Sequence, residues 1–550
     1  MIAVNEVGFL PYANKCAISD NPGQYYVVND NEGRRCDTEV TVTDRGTDDT
    51  AGHRAYLLDF SSLKEPGIYH IESEQGERSV SFKVEPGVYK TLKNSLLKFL
   101  YFQRCGMALE EKYAGAFARN ACHGRDAVPL GGGEPVNLPG GWHDAGDYGR
   151  YVSAGALAVA HMLYAYELFP EAFGDTVNIP ESGNGTPDVL NECRYELDFL
   201  MRMQDEDGGA HHKVTSFTFC DFVMPEKDPE DMVLFPVTTM STADLAAVLC
   251  VASRVYEAFD PGFARECMHR AYLAGRWLME HPENTDFHNP DGCNTGEYTD
   301  PCDRDERMWA YAELMRTDSE TGKSGESRYD RYREAFIKAA DEYDSDHPHY
   351  DGRSEDDGFG WVDVSSLAAI ALLFDPEKKT DDELYARMKA LITGRADAFV
   401  EMQASGYPIS MKKEDYIWGS NMVASNRADV LIAAALLTGD VKYEEAALNQ
   451  VNYILGMNAM DISYVTCFGD HAFTDPHNRV TVADGIDRPI PGEVSGGPCT
   501  LLADERIRET INKETAPQKC YLDDHMSYST NEITIYWNSS LLFAAAFFDR

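Results

Sequence analysis

Beyond Val88 the sequence alternates two kinds of helical segment. Residues 243–255, 367–374 and 431–437 are apolar nearly all round, which suits a helix buried on both sides. Their partners, such as 329–343, are amphipathic and charged. Alternation of buried and half-exposed helices predicts two concentric layers, an α/α barrel. The 3.6-residue spacing of apolar positions places helices at 151–169, 242–259, 263–280, 305–317, 329–343, 364–374, 381–403, 425–438, 442–456 and 532–548. Another starts at Thr186-Pro-Asp-Val-Leu, with Thr186 as N-cap and Pro187 at the first helical position. No fixed-period repeat of the solenoid kind is present.

The first 86 residues differ. Short β-type runs at 24–28, 39–43, 55–58, 67–71 and 79–84 are broken by turn residues such as Asn29, Asp30, Asn31, Gly33, Asp48 and Asp49. They predict a small β-sandwich over 1–86, followed by an all-α barrel over 87–550, with Glu85-Pro-Gly87 as the boundary. The chain carries 49 Lys and Arg against 92 Asp and Glu, a net charge of −43. That field repels phosphate backbones and anionic membranes, so no nucleic-acid or membrane partner is expected. A neutral or cationic substrate fits better. No window of 18 apolar residues exists, so no transmembrane helix is predicted. The start lacks a basic region followed by an apolar one. A cytoplasmic protein is expected if the sequence is complete, and a secreted one if a leader was removed. The 13 cysteines are scattered and odd in number, which suits free thiols or a few metal-bound thiolates. A monomer is expected.

The chain has no P-loop, dinucleotide fingerprint, H-E-x-x-H or G-x-S-x-G. Long polar connections at 118–141, 207–235, 283–304, 346–363 and 457–531 are the places for function. In Gly140-Gly-Trp-His-Asp-Ala-Gly-Asp-Tyr-Gly149, Asp144 and Asp147 flank a small Ala-Gly step and can face one spot. Such a pair either holds and deprotonates a water or simply caps the next helix in solvent. In Tyr521-Leu-Asp-Asp-His-Met-Ser-Tyr-Ser-Thr-Asn-Glu532, Glu532 opens a strongly apolar helix. An apolar wall favours its neutral form, as a general acid requires; the alternative is a carboxylate complementing the helix dipole. His477 and Arg479, on the loop after Ser463-Tyr-Val-Thr-Cys-Phe-Gly469, can donate to a hydroxylated ligand or form ordinary loop ion pairs. Tyr148, Trp309, Trp361, Trp418 and Tyr528 are candidates to stack on sugar rings, with core packing as the alternative, and Trp142 is expected to buttress its loop. Cys105, Cys122, His123 and His143 offer two thiols and two imidazoles but lack standard finger spacing, so by spacing alone they read as free thiols and core histidines rather than a metal set. The acids of 300–306 could bind calcium or be solvated.

Together these stretches resemble glycoside hydrolase family 9, the cellulase family with an (α/α)6 barrel. The last segment matches its pattern at Tyr521, Asp523, Tyr528, Glu532, Thr534, Asn538 and Ser539. The preceding one matches at Ser463, Val465, Thr466, Gly469, Pro476, His477 and Arg479, and departs at His471, where Asn, Lys or Arg is usual. Residues 142–148 are similar to the family's catalytic-base loop. The resemblance implies an immunoglobulin-like N-terminal sandwich. It implies Asp147 as general base, Asp144 as a second holder of the attacking water and Glu532 as general acid. His477 and Arg479 would bind sugar, and Asp523 would support the site. It also implies a structural zinc on Cys105, Cys122, His123 and His143, and calcium at unspecified ligands. No organic cofactor is expected. The activity implied is inverting hydrolysis of β-1,4-glucosidic bonds in cellulose, cello-oligosaccharides or mixed-linkage glucan, of endoglucanase type. Alternatives are an exo-acting relative (cellobiohydrolase, β-glucosidase or exo-β-glucosaminidase) and a non-catalytic sugar-binding protein.

Overall fold

The computed structural model describes residues 1–317, 328–346, 357–377 and 380–550. Two sheets form the N-terminal sandwich. One has strand order β1-β3-β7-β6, from Ile2–Val4, Cys16–Ser19, His53–Asp59 and Thr41–Asp48. The other has order β2-β9-β8-β4-β5, from Gly8–Phe9, Phe82–Val84, Gly67–Ser73, Tyr25–Asn29 and Arg34–Arg35. Inward-facing Phe9, Val27, Phe60, Tyr69, Ile71 and Phe82 fill the space between the sheets. Each of the five runs expected from sequence overlaps a strand, and 55–58 and 67–71 lie wholly within one. The strands at Ile2–Val4, Gly8–Phe9 and Cys16–Ser19 were not foreseen. They are short, and a strand of two to four residues has too little alternation to be seen.

Among the described residues, twelve helices of nine or more residues build the barrel. They are α1 Lys90–Gln103, α2 Val152–Leu168, α3 Asp188–Leu200, α4 Thr239–Tyr256, α5 Pro261–Glu280 and α6 Arg304–Thr317. The series continues with α7 Arg328–Asp346, α8 Ser365–Leu373, α9 Asp382–Met402, α10 Ser420–Thr438, α11 Val441–Ile454 and α12 Ile535–Phe548. The even-numbered helices touch one another in a closed ring, α12 against α2 and onward to α10 against α12. They are buried along most or all of their length, as their unbroken apolar sequences require. The odd-numbered helices pack outside them, apolar face inward. Boundaries moved slightly. The helix expected from Pro187 begins at Asp188, with Pro187 as its N-cap. The terminal helix begins at Ile535 and is capped by Thr534, whose hydroxyl accepts from the Trp537 N–H. Glu532 therefore lies before the helix, in extended backbone.

The sandwich is fastened to the barrel by specific hydrogen bonds. The Glu6 N–H donates to the Leu455 carbonyl at 2.9 Å, and Asn5 Nδ2 donates to Asn452 Oδ1 at 2.8 Å. On the other side Arg45 Nε donates to the Gly406 carbonyl, and Asp48 Oδ2 accepts from the Tyr407 N–H. Of the long connections, 346–363 lies mostly outside the described residues. Residues of 207–235, 283–304, 457–531 and the described end of 346–363 line one cavity with the catalytic candidates.

Candidate active site

The loop 140–149 is rigid because its neighbours hold its backbone. Trp142 is buried; its indole N–H donates to Glu192 and its backbone N–H to Glu196, so it is the expected buttress. Asp144 and Asp147 are 2% and 7% exposed. Asp147 Oδ2 accepts from the Gly149 N–H at 3.0 Å and the Tyr151 hydroxyl at 3.3 Å. Asp144 Oδ2 accepts from the Tyr298 hydroxyl at 2.6 Å, while its other oxygen has no hydrogen-bond partner. Burial, together with the neighbouring Asp147 charge, pushes the Asp144 carboxyl well above its ordinary value. The Asp144 carbonyl accepts from the Ile535 N–H at 2.8 Å, which joins this loop to the start of α12.

Gly146 carries the contact between two of the sequence motifs. Its carbonyl accepts from both the backbone N–H and the guanidinium of Arg479, at 3.0 and 2.9 Å. A Cβ on Gly146 would stand 1.9 Å from the His477 carbonyl oxygen. His477 in turn donates its backbone N–H to the Asn531 carbonyl, so it lies beside Glu532 in a parallel bridge. Its ring Nδ1 faces the His525 carbonyl at 2.5 Å and must donate there, since a carbonyl only accepts. Burial holds the imidazole down at about 4, so it is neutral at pH 7 with Nε2 as an acceptor. Glu532 is half-buried. Its burial, and the Asp147 and Asp144 charges facing it, raise its carboxyl well above the usual carboxylate range. Asp523 stands behind the site. It accepts from the N–H groups of Thr474 and Asp475 and from Asn531 Nδ2, at 2.9, 3.0 and 2.9 Å.

One open cavity of about 750 Å³, within the size range of small-molecule sites, lies among them, with Asp523 outside its lining. Asp144, Asp147, His477, Arg479, Trp361, Trp418, Tyr528 and Glu532 line it. Trp418 is 40% exposed, unusual for an indole, and its ring leans on Tyr528 at 5.0 Å. Trp361 stands edge-on to Tyr298 at 5.0 Å. Two expected stacking residues lie elsewhere. Trp309, on α6, is fully buried and donates its indole N–H to Tyr164 inside the barrel. Tyr148 packs against the His123 and His143 rings, with its hydroxyl on the Val223 carbonyl. Tyr151, Phe219, Asn294, Tyr298, Leu501 and Tyr536 line the cavity and were not singled out from sequence. Tyr298 and Asn294 lie in the 283–304 connection, whose length was the only available signal.

Beside the base loop, Cys105, Cys122, His123 and His143 converge, with ligand atoms all within 4.8 Å of one another. The two sulfurs are 4.0 Å apart. Two thiolates on a tetrahedral zinc at ~2.3 Å would be about 3.8 Å apart. Cys122 Sγ is 3.7 Å from His143 Nε2, and Cys105 Sγ is 3.6 Å from His123 Nδ1. The Asp228 carboxylate, 3.2 Å from His123 Nε2, orients that ring from behind, as outer-sphere carboxylates do. The donor set fits zinc. Among the described residues a second group is Asp300, Asp305 and Glu306, all buried. Asp300 Oδ2, Asp305 Oδ1 and both Glu306 oxygens have no hydrogen-bond partner. Burial pushes Asp300 up to about 7. Three buried acids facing one another fit a hard cation such as calcium.

Comparison with known proteins gives this arrangement a lineage. Residues 89–545 match the sequence profile of glycosyl hydrolase family 9, and residues 1–78 match the cellulase N-terminal Ig-like domain. The chain is 39% identical over 563 residues to a cellodextrinase of Butyrivibrio fibrisolvens, covering 99% of this chain and 98% of that protein. It is 31% identical over 559 residues to endoglucanase D of Acetivibrio thermocellus, covering 100% of this chain and 83% of that one. A mutant thermostable endoglucanase from Alicyclobacillus acidocaldarius superposes with a TM-score of 0.89 at 32% identity, over 100% of this chain and 99% of that structure. The β-sandwich, the closed ring of paired helices and these matches make the chain a member of glycosyl hydrolase family 9, and hence a glycoside hydrolase.

Proposed function

We propose that the protein hydrolyses β-1,4-glucosidic bonds of cello-oligosaccharides and related β-glucans, with inversion at the anomeric carbon. The observation that carries this reading is electrostatic. Glu532 borders the same open cavity as Asp144 and Asp147 and is pushed toward its neutral form by burial and by their charges. A carboxyl held toward its protonated form, bordering the same cavity as a second pair of acids, is what acid-base cleavage of an acetal needs. Glu532 gives its proton to the leaving glycosidic oxygen. Asp147 takes a proton from the attacking water, and Asp144 helps to hold that water. His477 and Arg479 bind the sugar at the cleavage point. Trp361, Trp418 and Tyr528 offer flat faces to neighbouring rings. Support for short, soluble substrates comes from the relative named a cellodextrinase, matched over nearly its full length.

The zinc on Cys105, Cys122, His123 and His143 would be structural, since four protein ligands close the tetrahedron. Calcium at Asp300, Asp305 and Glu306 would brace the connection that supplies Tyr298 to the cleft wall.

The test is the product profile on reducing-end-labelled cellohexaose, with the new anomer read by NMR. Internal cuts releasing the α-anomer first are expected, with turnover about 10³-fold lower in Glu532→Gln and Asp147→Asn. Stepwise release from one end would replace the endo assignment with an exo one. β-Anomers would remove the inverting assignment, and undiminished variants would remove the two residues from their roles.

A further inference from the structure

We propose that Glu6, Asp461 and His471 form a divalent-metal site that pins the N-terminal sandwich to the loop leading to His477. Glu6 lies between the first two strands of the sandwich; Asp461 and His471 lie on the barrel connection after α11. One ligand atom from each, all within 4.8 Å of one another, can meet at a single point.

The distances are those of ligands rather than of hydrogen-bond partners. His471 Nδ1 is 3.6 Å from Glu6 Oε1 and 3.4 Å from Asp461 Oδ2. Nitrogen-to-oxygen hydrogen bonds run at about 2.7–3.2 Å. Nitrogen and oxygen atoms sharing one tetrahedral ion, at bonds of ~2.0–2.1 Å, lie about 3.3–3.4 Å apart.

The Glu6 side chain is 0% exposed, and its Oε1 has no hydrogen-bond partner. The barrel loop is shaped to admit it. The His471 N–H donates to Glu6 Oε2 at 2.8 Å. A Cβ on Gly456 or Gly469 would come within 2.7 or 2.5 Å of the Glu6 side chain. Asp461 Oδ1 is likewise buried and unpartnered. Among the described residues, His471 is the one cationic side chain within ion-pair distance of either acid. The N-terminal ammonium, which also acts on Asp461, is itself paired with Asp20 and Glu77, so two carboxylates beside one imidazole keep an excess of negative charge that a bound dication balances. One imidazole nitrogen and two carboxylate oxygens suit a borderline first-row ion such as Zn²⁺, with water completing the shell. Calcium prefers all-oxygen cages and is disfavoured by the imidazole.

The experiment compares wild type with His471→Asn and Glu6→Gln. Each protein, carrying its Cys–His zinc, is equilibrated with Zn²⁺, desalted and analysed for zinc per chain, and its melting temperature is read with and without added Zn²⁺. Wild type is expected to hold one zinc more than either variant. Its melting temperature should rise by about 3 °C on zinc addition, a response the variants lack. Other zinc sites cancel in the difference. His471 is half exposed. The His471→Asn comparison therefore stands even if Glu6→Gln folds poorly. Equal zinc content and equal thermal response in wild type and His471→Asn would overturn the proposal.

Discussion

At Gly146 a single hydrogen atom in place of a side chain lets the acid-base loop and the His-Arg loop touch. The His477 carbonyl occupies the place where a Cβ would be, at 1.9 Å, and Arg479 binds the Gly146 carbonyl twice. Gly146→Ala must therefore push Asp147 away from His477 and its neighbour Glu532. Misplacement of reacting groups by about 1 Å costs on the order of 10²-fold in rate. A fall of that size in kcat is expected with helical circular dichroism unchanged; wild-type kcat would mean that the loops tolerate separation. Single residues also show what a sequence hides. Tyr148 adjoins Asp147 in the chain and was expected in the cleft, yet its ring covers His123 and His143. Successive residues of an irregular turn point in unrelated directions, and no periodicity reveals which. Asp144, Asp147 and Glu532 stood out through the resemblance to family 9, since spacing alone left helix capping and dipole complementation open; the structure brings all three to one cavity. Tyr298, which donates to Asp144, was not legible, because it comes from a connection more than 150 residues away.

At the scale of elements, the loop carrying Asp147 is held by what lies behind it. The His143 N–H donates to the Gln103 carbonyl, and Gln103 Nε2 donates back to the carbonyls of His143 and Ala145. Zinc on Cys105 and His143 would close the same junction between α1 and the loop. Asp228 behind His123 extends it to the 207–235 connection, whose Cys220 carbonyl accepts from Arg479. Stripping zinc with a strong chelator, or making Cys105→Ser, should lower the melting temperature by several degrees and reduce kcat more than it raises KM. Calorimetry and steady-state kinetics on the same samples check this. An unchanged melting temperature with zinc gone would show that the four ligands carry no structural load. Most helices were legible within three residues at the ends that the structure allows to be compared; α10 starts five residues earlier than expected, and α1 was not foreseen. Trp309 was the exception in kind: an aromatic near an expected loop proved to be the buried face of α6.

For the whole molecule, the net charge of −43 and the buried acids act in the same direction. Burial pushes Glu196 and Glu493 each up to about 8. Between about pH 4.5 and 8 the folded chain thus holds protons at these sites that the unfolded chain has lost. Stability then falls as pH rises through that window. Self-repulsion of a strongly acidic chain adds to the fall. Below it, the opposite group matters: against its burial, Arg254 and Arg316 hold Glu167 under the usual range, and that stabilisation is lost on acidification. The melting temperature should therefore be higher near pH 5.5 than at pH 8, and Glu493→Gln should flatten the decline. A melting temperature that rises from pH 5.5 to 8 in wild type would contradict this account. Glu493 accepts from Asn478, the residue between His477 and Arg479, so the same carboxyl links stability to the site.

The sequence by itself determined the layers of this protein. Unbroken apolar helices must be buried on both sides, and amphipathic ones on one, so a double ring follows from local pattern and the hydrophobic effect. It also determined the chemistry on offer, because acids, histidines and aromatics in polar loops carry their properties wherever they fold. Tertiary structure alone decided which of those groups meet. The distance between Asp147 and Glu532 in the chain is hundreds of residues, and the rise of the Glu532 carboxyl comes from a burial and a field of Asp147 and Asp144 that exist only once the ring has closed. The same holds for Glu6, whose meeting with Asp461 and His471 depends on how the sandwich docks.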